Sequence, residues 1–413
     1  MSSTSKLYPR WQKATVEAAM AERRVLMLTG PRQCGKTTLA RSLASKDTDY
    51  RTLDDLTLKQ AAESDPHGFV RHNARTLIID EVQRVPDLLP AIKKLVDENT
   101  RPGQFLLTGS VNIQSLPSVQ ESLAGRIGKI RLRPFTQGEL AKKQPRFIDL
   151  AFRQSFEPSR RVYDRDDLLE FAFRGGFPEA VALEPRARRS WHHDYIAALL
   201  ERDLKDIARI HRLDAMRELV RLLAAWSSKF MDVSAIGSGL SIRRPTLESY
   251  ISALEALYVV ERVQPWTRTD YERVGKQSKL FMSDCGLMTS LLGWRPDQVR
   301  LDPDRSGKII ETLAFNEIAA QIDAAEGSYE LFHYRDREKR EIDFLVERDD
   351  GAILGIEIKA GSTINKHDFR HLEWFRENLA KDREFTGIIL YSGEFCGSFG
   401  DGLSSVPFGA LWS

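Results

Sequence analysis

The residues Gly30-Pro31-Arg32-Gln33-Cys34-Gly35-Lys36-Thr37 spell G-x-x-x-x-G-K-[ST], with the apolar run Val25-Leu26-Met27-Leu28 just before them. Thr38-Leu39-Ala40-Arg41-Ser42-Leu43-Ala44 follows with helical spacing. A buried strand, a glycine-rich turn and an amphipathic helix in that order form the phosphate loop of a nucleotide-binding α/β fold. The glycines let backbone N–H groups curl around the β-phosphate, Lys36 reaches the β- and γ-phosphates, and the Thr37 hydroxyl ligates Mg²⁺. Residues 30–38, from Gly30 to Thr38, are therefore the expected seat of ATP. A chance glycine-rich turn containing lysine would need neither the strand before it nor the helix after it.

A second motif supplies the hydrolytic half of such a site. Thr76-Leu77-Ile78-Ile79-Asp80-Glu81 is an apolar run ending in two carboxylates, the form of a buried parallel strand that opens onto a site. Asp80 is suited to hold Mg²⁺ through water, and Glu81 to polarise the water that attacks the γ-phosphate. Residues 51–55 are expected as another strand ending in acids, and residues 104–110 as another buried strand. Strands alternating with helices to about residue 140 imply a parallel sheet covered by helices. Ser110 and Asn112 either sense the γ-phosphate or serve turn chemistry, which Ser and Asn also favour. Arg126 is either a guanidinium delivered to a neighbouring subunit's γ-phosphate, which requires an oligomer, or a surface anchor. Cys34 is a neutral spacer or a thiol made redox-sensitive by the loop's amide dipoles.

The chain of 413 residues has core enough for several domains. A net charge of +2 excludes a globally polybasic nucleic-acid binder, so any basic surface has to be local. The cysteines Cys34, Cys285 and Cys396 fit no zinc spacing and suit a reducing compartment. The start, Met1-Ser2-Ser3-Thr4-Ser5-Lys6, has no apolar leader, and no apolar run reaches about 18 residues, so the expected location is cytoplasmic with no membrane partner.

Residues 141–161 are polar with little periodicity and read as a linker. Residues 166–212 read as helical around the turn Arg174-Gly175-Gly176-Phe177-Pro178, with Arg202 either a nucleotide contact or a member of surface ion pairs. Residues 213–266 have the grammar of a winged helix. Met216, Leu219, Val220, Leu223 and Trp226 line one helix face, and a short helix is expected around Val233-Ser234-Ala235-Ile236. Pro245 then opens a helix striped by Leu247, Tyr250, Ile251, Leu254 and Leu257. That helix either enters a major groove or makes a protein contact, because Glu248 and Glu255 sit on it and its basic residues lie only at its start.

The carboxyl-terminal part carries another constellation. A three-residue turn, Asp349-Asp350-Gly351, pairs Arg348 with Ala352 and so brings Asp343 opposite Glu357. In that register Ile342, Phe344, Val346, Leu354, Ile356 and Ile358 share one face, and Asp343, Glu357 and Lys359 share the other. Two carboxylates and a lysine on one face suit a Mg²⁺-dependent nuclease site, with Glu311 on the preceding helix completing the metal shell. A cross-strand ion-pair ladder, with Glu341 opposite Lys359, would use the same residues.

The residues 28–38, 77–83 and 106–110 resemble the prokaryotic AAA-type P-loop ATPases that carry a carboxyl-terminal region of the DUF4143 type. Gly175-Gly176-Phe177-Pro178-Glu179, Arg202-Asp203, residues 280–287, and Glu311 with Phe315 extend the resemblance over nearly the whole chain. Asp343, Glu357 and Lys359 look like the D…E-x-K core of the PD-(D/E)xK nuclease fold, with Glu311 matching its helix glutamate. The resemblance implies an α/β protein: an AAA-type P-loop ATPase core with a parallel sheet over residues 1–165, and a helical lid over 166–212. A winged-helix domain over 213–266 and an α/β nuclease-like domain over 267–413 follow. It implies ATP and Mg²⁺ as cofactors, and Glu81, Lys36 and Arg126 in catalysis. The leading expectation is an ATP-hydrolysing motor or switch that acts on DNA as a homo-oligomer. An ATP-gated nuclease and a nucleotide-dependent protein-interaction switch are the alternatives.

Overall fold

The structure is a computed structural model and describes residues 8–110, 125–156, 163–204, 213–269, 272 and 276–412. Asn112 lies outside the described residues. Strands β1 (Val25–Thr29), β2 (Thr48–Thr52), β3 (Thr76–Asp80), β4 (Phe105–Gly109) and β5 (Ile127–Arg131) form one parallel sheet in the order β2-β3-β4-β1-β5. Every residue of β1 and β4 is buried, as expected where helices cover both faces of a parallel sheet. Because β3, β4 and β1 are neighbours running the same way, their carboxyl ends Asp80, Gly109 and Thr29 open on one edge of the sheet. The strand expected over 51–55 instead spans 48–52. Asp55 turns away to cap the helix Leu56–Ser64, its side chain accepting the Leu58 N–H at 2.9 Å.

The stretch expected as a linker folds in part. Helix Phe147–Phe152 buries Phe147, Ile148, Ala151 and Phe152 in the largest core, an apolar stripe too short to show periodicity among its polar neighbours. Helices Arg165–Arg174 and Pro185–Ala198 follow, the latter running into a π-helical turn, Leu199–Asp203.

A nine-stranded sheet makes up the rest. Its strands are β6 (Lys229–Phe230), β7 (Val260–Pro265), β8 (Lys279–Met282), β9 (Tyr329–Arg335), β10 (Glu341–Arg348), β11 (Ile353–Lys359), β12 (Phe385–Tyr391), β13 (Gly397–Gly400) and β14 (Leu403–Pro407). The order is β13-β14-β12-β11-β10-β9-β7-β8-β6. Helices Leu213–Trp226, Val233–Leu240 and Arg244–Ala256 pack beside β6, β8 and β7, which pair antiparallel with β8 in the middle. β8, which pairs with both β6 and β7, lies beyond residue 266, so these pairings cross the boundary expected there. Parallel pairing of β7 with β9 then joins these three strands to the carboxyl-terminal strands in one sheet.

The β10–β11 hairpin adopts the register the turn dictates, with Phe344 opposite Ile356, Val346 opposite Leu354, and the Arg348 N–H donating to Ala352 O at 2.9 Å. Ile342 departs from the expected face. A bulge between Ile342 and Leu345 against β9 shifts the alternation, so Ile342 packs with Leu345 and Ile353. The helix Arg370–Asn378 covers that face through Leu372 and Phe375.

Candidate functional site

The phosphate loop is held open by backbone that only small residues accept. Gly30 has φ +147°, and a Cβ there would lie 2.1 Å from the carbonyl oxygen of Leu132; Gly35 has φ +101° and starts the helix Lys36–Ser42. Lys36 is buried, and its Nζ donates to the carbonyls of Gly30 at 3.0 Å and Pro31 at 2.7 Å, so the ammonium already lies over the loop. Pro31 is buried, Arg32 half-buried, and Gln33 and Thr38 are exposed. Cys34 is fully buried with its Sγ 3.3 Å from Leu132 O, the position of a packed spacer.

Across the sheet edge, the Thr37 hydroxyl lies 3.1 Å from both carboxylate oxygens of Asp80. Asp80 also accepts from the Tyr50 hydroxyl at 2.9 Å and the Thr108 hydroxyl at 2.5 Å. Three hydroxyl donors from three elements fix one buried carboxylate, which compensates its burial and aims it at the loop. Glu81 has φ +61°, a left-handed backbone held by its N–H donating to the Thr108 hydroxyl at 3.1 Å. Its carboxylate accepts from the Gln83 amide and from Ser110 Oγ at 3.3 Å, and Gln83 also donates to Ser110 at 3.0 Å. Lys36, Thr37, Asp80, Glu81 and Ser110 therefore converge. The glycine cradle, the lysine and the hydroxyl–carboxylate pair fit a Mg²⁺-bound triphosphate.

Arg126 does not join them. It precedes β5 at the amino end of that strand, the opposite edge from the loop, and pairs with Asp97 at 2.5 Å. Arg202 is exposed on the π-helical turn.

Sequence reasoning missed Arg10. Its guanidinium donates to Cys34 O at 2.6 Å, Arg133 O at 2.6 Å and Glu139 Oε1 at 3.0 Å, tying the back of the loop to the segment after β5. Arg133 in turn meets Glu261 on β7 at 2.9 and 3.0 Å and Asp323 on the helix Pro303–Ala324 at 2.6 Å. Arg131 reaches Glu261 at 2.6 Å. Burial pushes the Glu261 carboxyl up, but Arg131 and Arg133 more than reverse this and hold it at about 2. Tyr258 lies beside Thr29, the residue before Gly30.

In the carboxyl-terminal sheet, Glu311 and Asp343 do meet, but around a residue the spacing did not single out. Lys279 Nζ lies 2.5 Å from Glu311, 2.9 Å from Glu341 and 3.1 Å from Asp343, and the side chain is almost fully buried. Lys359 turns away to Asp368 at 3.3 Å. Glu357 stands apart, with His371 Nδ1 at 3.8 Å, and burial together with Asp343 pushes its carboxyl up to about 8. The expected grouping of Glu311, Asp343 and Glu357 with Lys359 is thus not what forms. The bulge and the buried ammonium redirect the acids, and among the described residues no three acidic, histidine or cysteine side chains are arranged to hold a metal ion. A lysine four residues before Ser283-Asp284-Cys285-Gly286 would stand out only from knowing that β8 lies near β10.

Comparisons with known proteins give three family matches along the chain. Residues 22–141 match the family described as an AAA domain, residues 165–298 a domain of unknown function, DUF8612, and residues 306–411 another, DUF4143. Uncharacterized proteins of Mycobacterium tuberculosis and Mycobacterium bovis are each 29% identical over 353 residues, covering 85% of this chain and 73% of theirs. Among solved structures, the RuvB Holliday junction branch migration motor of Thermotoga maritima is 18% identical, covers 63% of this chain and 92% of its own, and has a TM-score of 0.28. AMPPCP-bound DnaA from Aquifex aeolicus is 14% identical, with 59% and 85% covered and a TM-score of 0.30. No described helix is long and apolar enough to cross a membrane.

Proposed function

We propose that this chain, which belongs to the AAA-type P-loop proteins with a carboxyl-terminal DUF4143 region, hydrolyses ATP and uses the turnover to move a DNA-directed winged helix. The observation that carries the reading is the contact of Thr37 with Asp80 at 3.1 Å beside a loop whose Gly30 tolerates no side chain. On binding, Lys36 exchanges the Gly30 and Pro31 carbonyls for phosphate oxygens. Thr37 and Asp80 would hold Mg²⁺, which would neutralise the charge that builds on the phosphates. Glu81 orients the attacking water, and the Ser110 hydroxyl, now shared with Glu81 and Gln83, turns to the γ-phosphate. Arg126 is on the far edge from its own loop, so any phosphate it serves is a neighbouring subunit's, in a homo-oligomer.

Two features support transmission to DNA. Arg10 joins the loop to Arg133, and Arg133 joins Glu261 on the wing, a path of ion pairs and hydrogen bonds from phosphate to winged helix. The helix Arg244–Ala256 exposes Thr246, Ser249 and Ser252, with Arg243 exposed at its N-cap, a polar face suited to phosphate and base edges. ATPase rate with and without duplex and single-stranded DNA tests the reading. Stimulation that fades with salt and is lost in Glu81→Gln is expected; neither stimulation nor binding at low salt would sink the DNA role.

A further inference from the structure

We infer that Lys279 is a built-in cation standing where the resembled D…E-x-K nucleases would hold a divalent metal. The carboxyl-terminal unit then takes no metal at these acids and cuts no phosphodiester, and the same cluster serves as the joint between wing and sheet.

Three of the acids, Glu311, Glu341 and Asp343, are already engaged, and only Glu357 keeps a buried oxygen without a partner. Asp343 Oδ1 is 3.1 Å from the Lys279 ammonium, and Asp343 Oδ2 accepts the Ile358 N–H at 2.9 Å. Glu311 and Glu341 meet the same ammonium at 2.5 and 2.9 Å. A Mg²⁺ ion needs oxygens at about 2.0–2.1 Å in near-octahedral array, and an ammonium in contact with all three acids fills that space. Lys279 has no route aside, since it is 1% exposed and its Nζ lies 5.5 Å from the Phe230 ring centre, an arrangement that itself favours a cation. The lysine that would orient a nucleophile, Lys359, is engaged with Asp368.

What the cluster does instead follows from which elements it joins. Lys279 begins β8 of the wing, Glu311 lies on the helix Pro303–Ala324, and Glu341 and Asp343 lie on β10. One buried ammonium thus ties the winged helix to the carboxyl-terminal sheet at the place where the fold's relatives do chemistry. Such a cation is specific because removing it leaves acids buried without compensation.

Mn²⁺ binding to the full-length protein without nucleotide, followed by electron paramagnetic resonance, tests this independently of ATP turnover. Wild type is expected to show no bound Mn²⁺ that depends on Asp343, and no Mn²⁺-dependent cleavage of DNA. Lys279→Met should gain a bound Mn²⁺, lost again when Asp343→Asn is added. Bound Mn²⁺ in wild type that Asp343→Asn abolishes would overturn the inference, and so would a folded Lys279→Met protein that takes up none. Should Lys279→Met fail to fold, the wild-type and Asp343→Asn titrations decide the matter alone. ATPase activity, measured in parallel, reports on residues 30–38 and is untouched by either result.

Discussion

Arg133 grips Glu261 with both ends of its guanidinium, at 2.9 and 3.0 Å, while its Nε reaches Asp323 at 2.6 Å. The backbone carbonyl of the same Arg133 accepts from Arg10, which also holds the Cys34 carbonyl in the phosphate loop. These contacts link the loop to β7 and to the helix Pro303–Ala324 through groups already touching. Two ends of one arginine, side chain and main chain, serve two domains.

Glu261→Gln is expected to separate nucleotide binding from its transmission. The buried guanidinium of Arg133 keeps only Asp323 and the half-buried Arg131 loses Glu261, which costs about 1–3 kcal/mol, less than breaking a fully buried pair. ATP affinity, set by residues 30–38, should change little, while stimulation of turnover by DNA falls. Isothermal titration with a non-hydrolysable ATP analogue and ATPase assays with duplex check the two halves. Because Glu261 is held at about 2, its contribution is full above an unfolded value near 4.5 and is lost as pH falls toward 2. The variant should therefore lose the acid-side slope of the wild-type stability curve.

Gly30→Ala is expected to abolish ATP binding. The added carbon meets Leu132 O at 2.1 Å at a φ that side chains rarely adopt, so strand β1 and the segment after β5 must part. A loss of about 2 kcal/mol or more in stability should accompany it. Unchanged nucleotide affinity in a folded Gly30→Ala protein would contradict the cradle described here.

Glu357 makes the opposite prediction about pH. Its carboxyl, pushed up to about 8 by burial and by Asp343, favours the folded state fully below an unfolded value near 4.5, and that contribution is lost as pH rises through 8. Glu357→Gln removes the titration. Relative to wild type, the variant should be more stable by at least about 1 kcal/mol at pH 9, where a shift of one unit is worth about 1.4 kcal/mol. Chemical denaturation at pH 5 and pH 9 measures the difference.

Contiguous signals were legible in the sequence and distant ones were not. The phosphate loop is a run of neighbouring residues whose geometry is local, so its motif and its flanking β1 and helix are readable together. Asp80 and Glu81 were readable because a strand's end is where a parallel sheet opens. The β10–β11 register followed from a turn of known length, but the phase of Ile342 did not, since β9 sets the bulge. Arg10 is silent in sequence because its partners are main-chain carbonyls of Cys34 and Arg133. Lys279 is silent for a related reason. Its meaning depends on β8 pairing with β7, which in turn pairs with β9 of the carboxyl-terminal strands, and no spacing reveals that.

Lys279 and Lys359 offer the sharpest contrast, since both pair with carboxylates but in different media. Burial opposes the Lys279 charge, yet Glu311, Asp343 and Glu341 more than offset it and raise its pKa well above the ordinary value. Removing that ammonium leaves acids buried without compensation, so Lys279→Ala should cost about 3–5 kcal/mol. Lys359 is partly exposed, with its side chain 39% accessible, and its pairing with Asp368 is screened by water. Lys359→Ala should therefore change stability by about 0–1 kcal/mol. Urea denaturation of the two variants compares them directly. A larger loss at Lys359 than at Lys279 would mean that the nuclease-type lysine, rather than the buried ammonium, organises these acids.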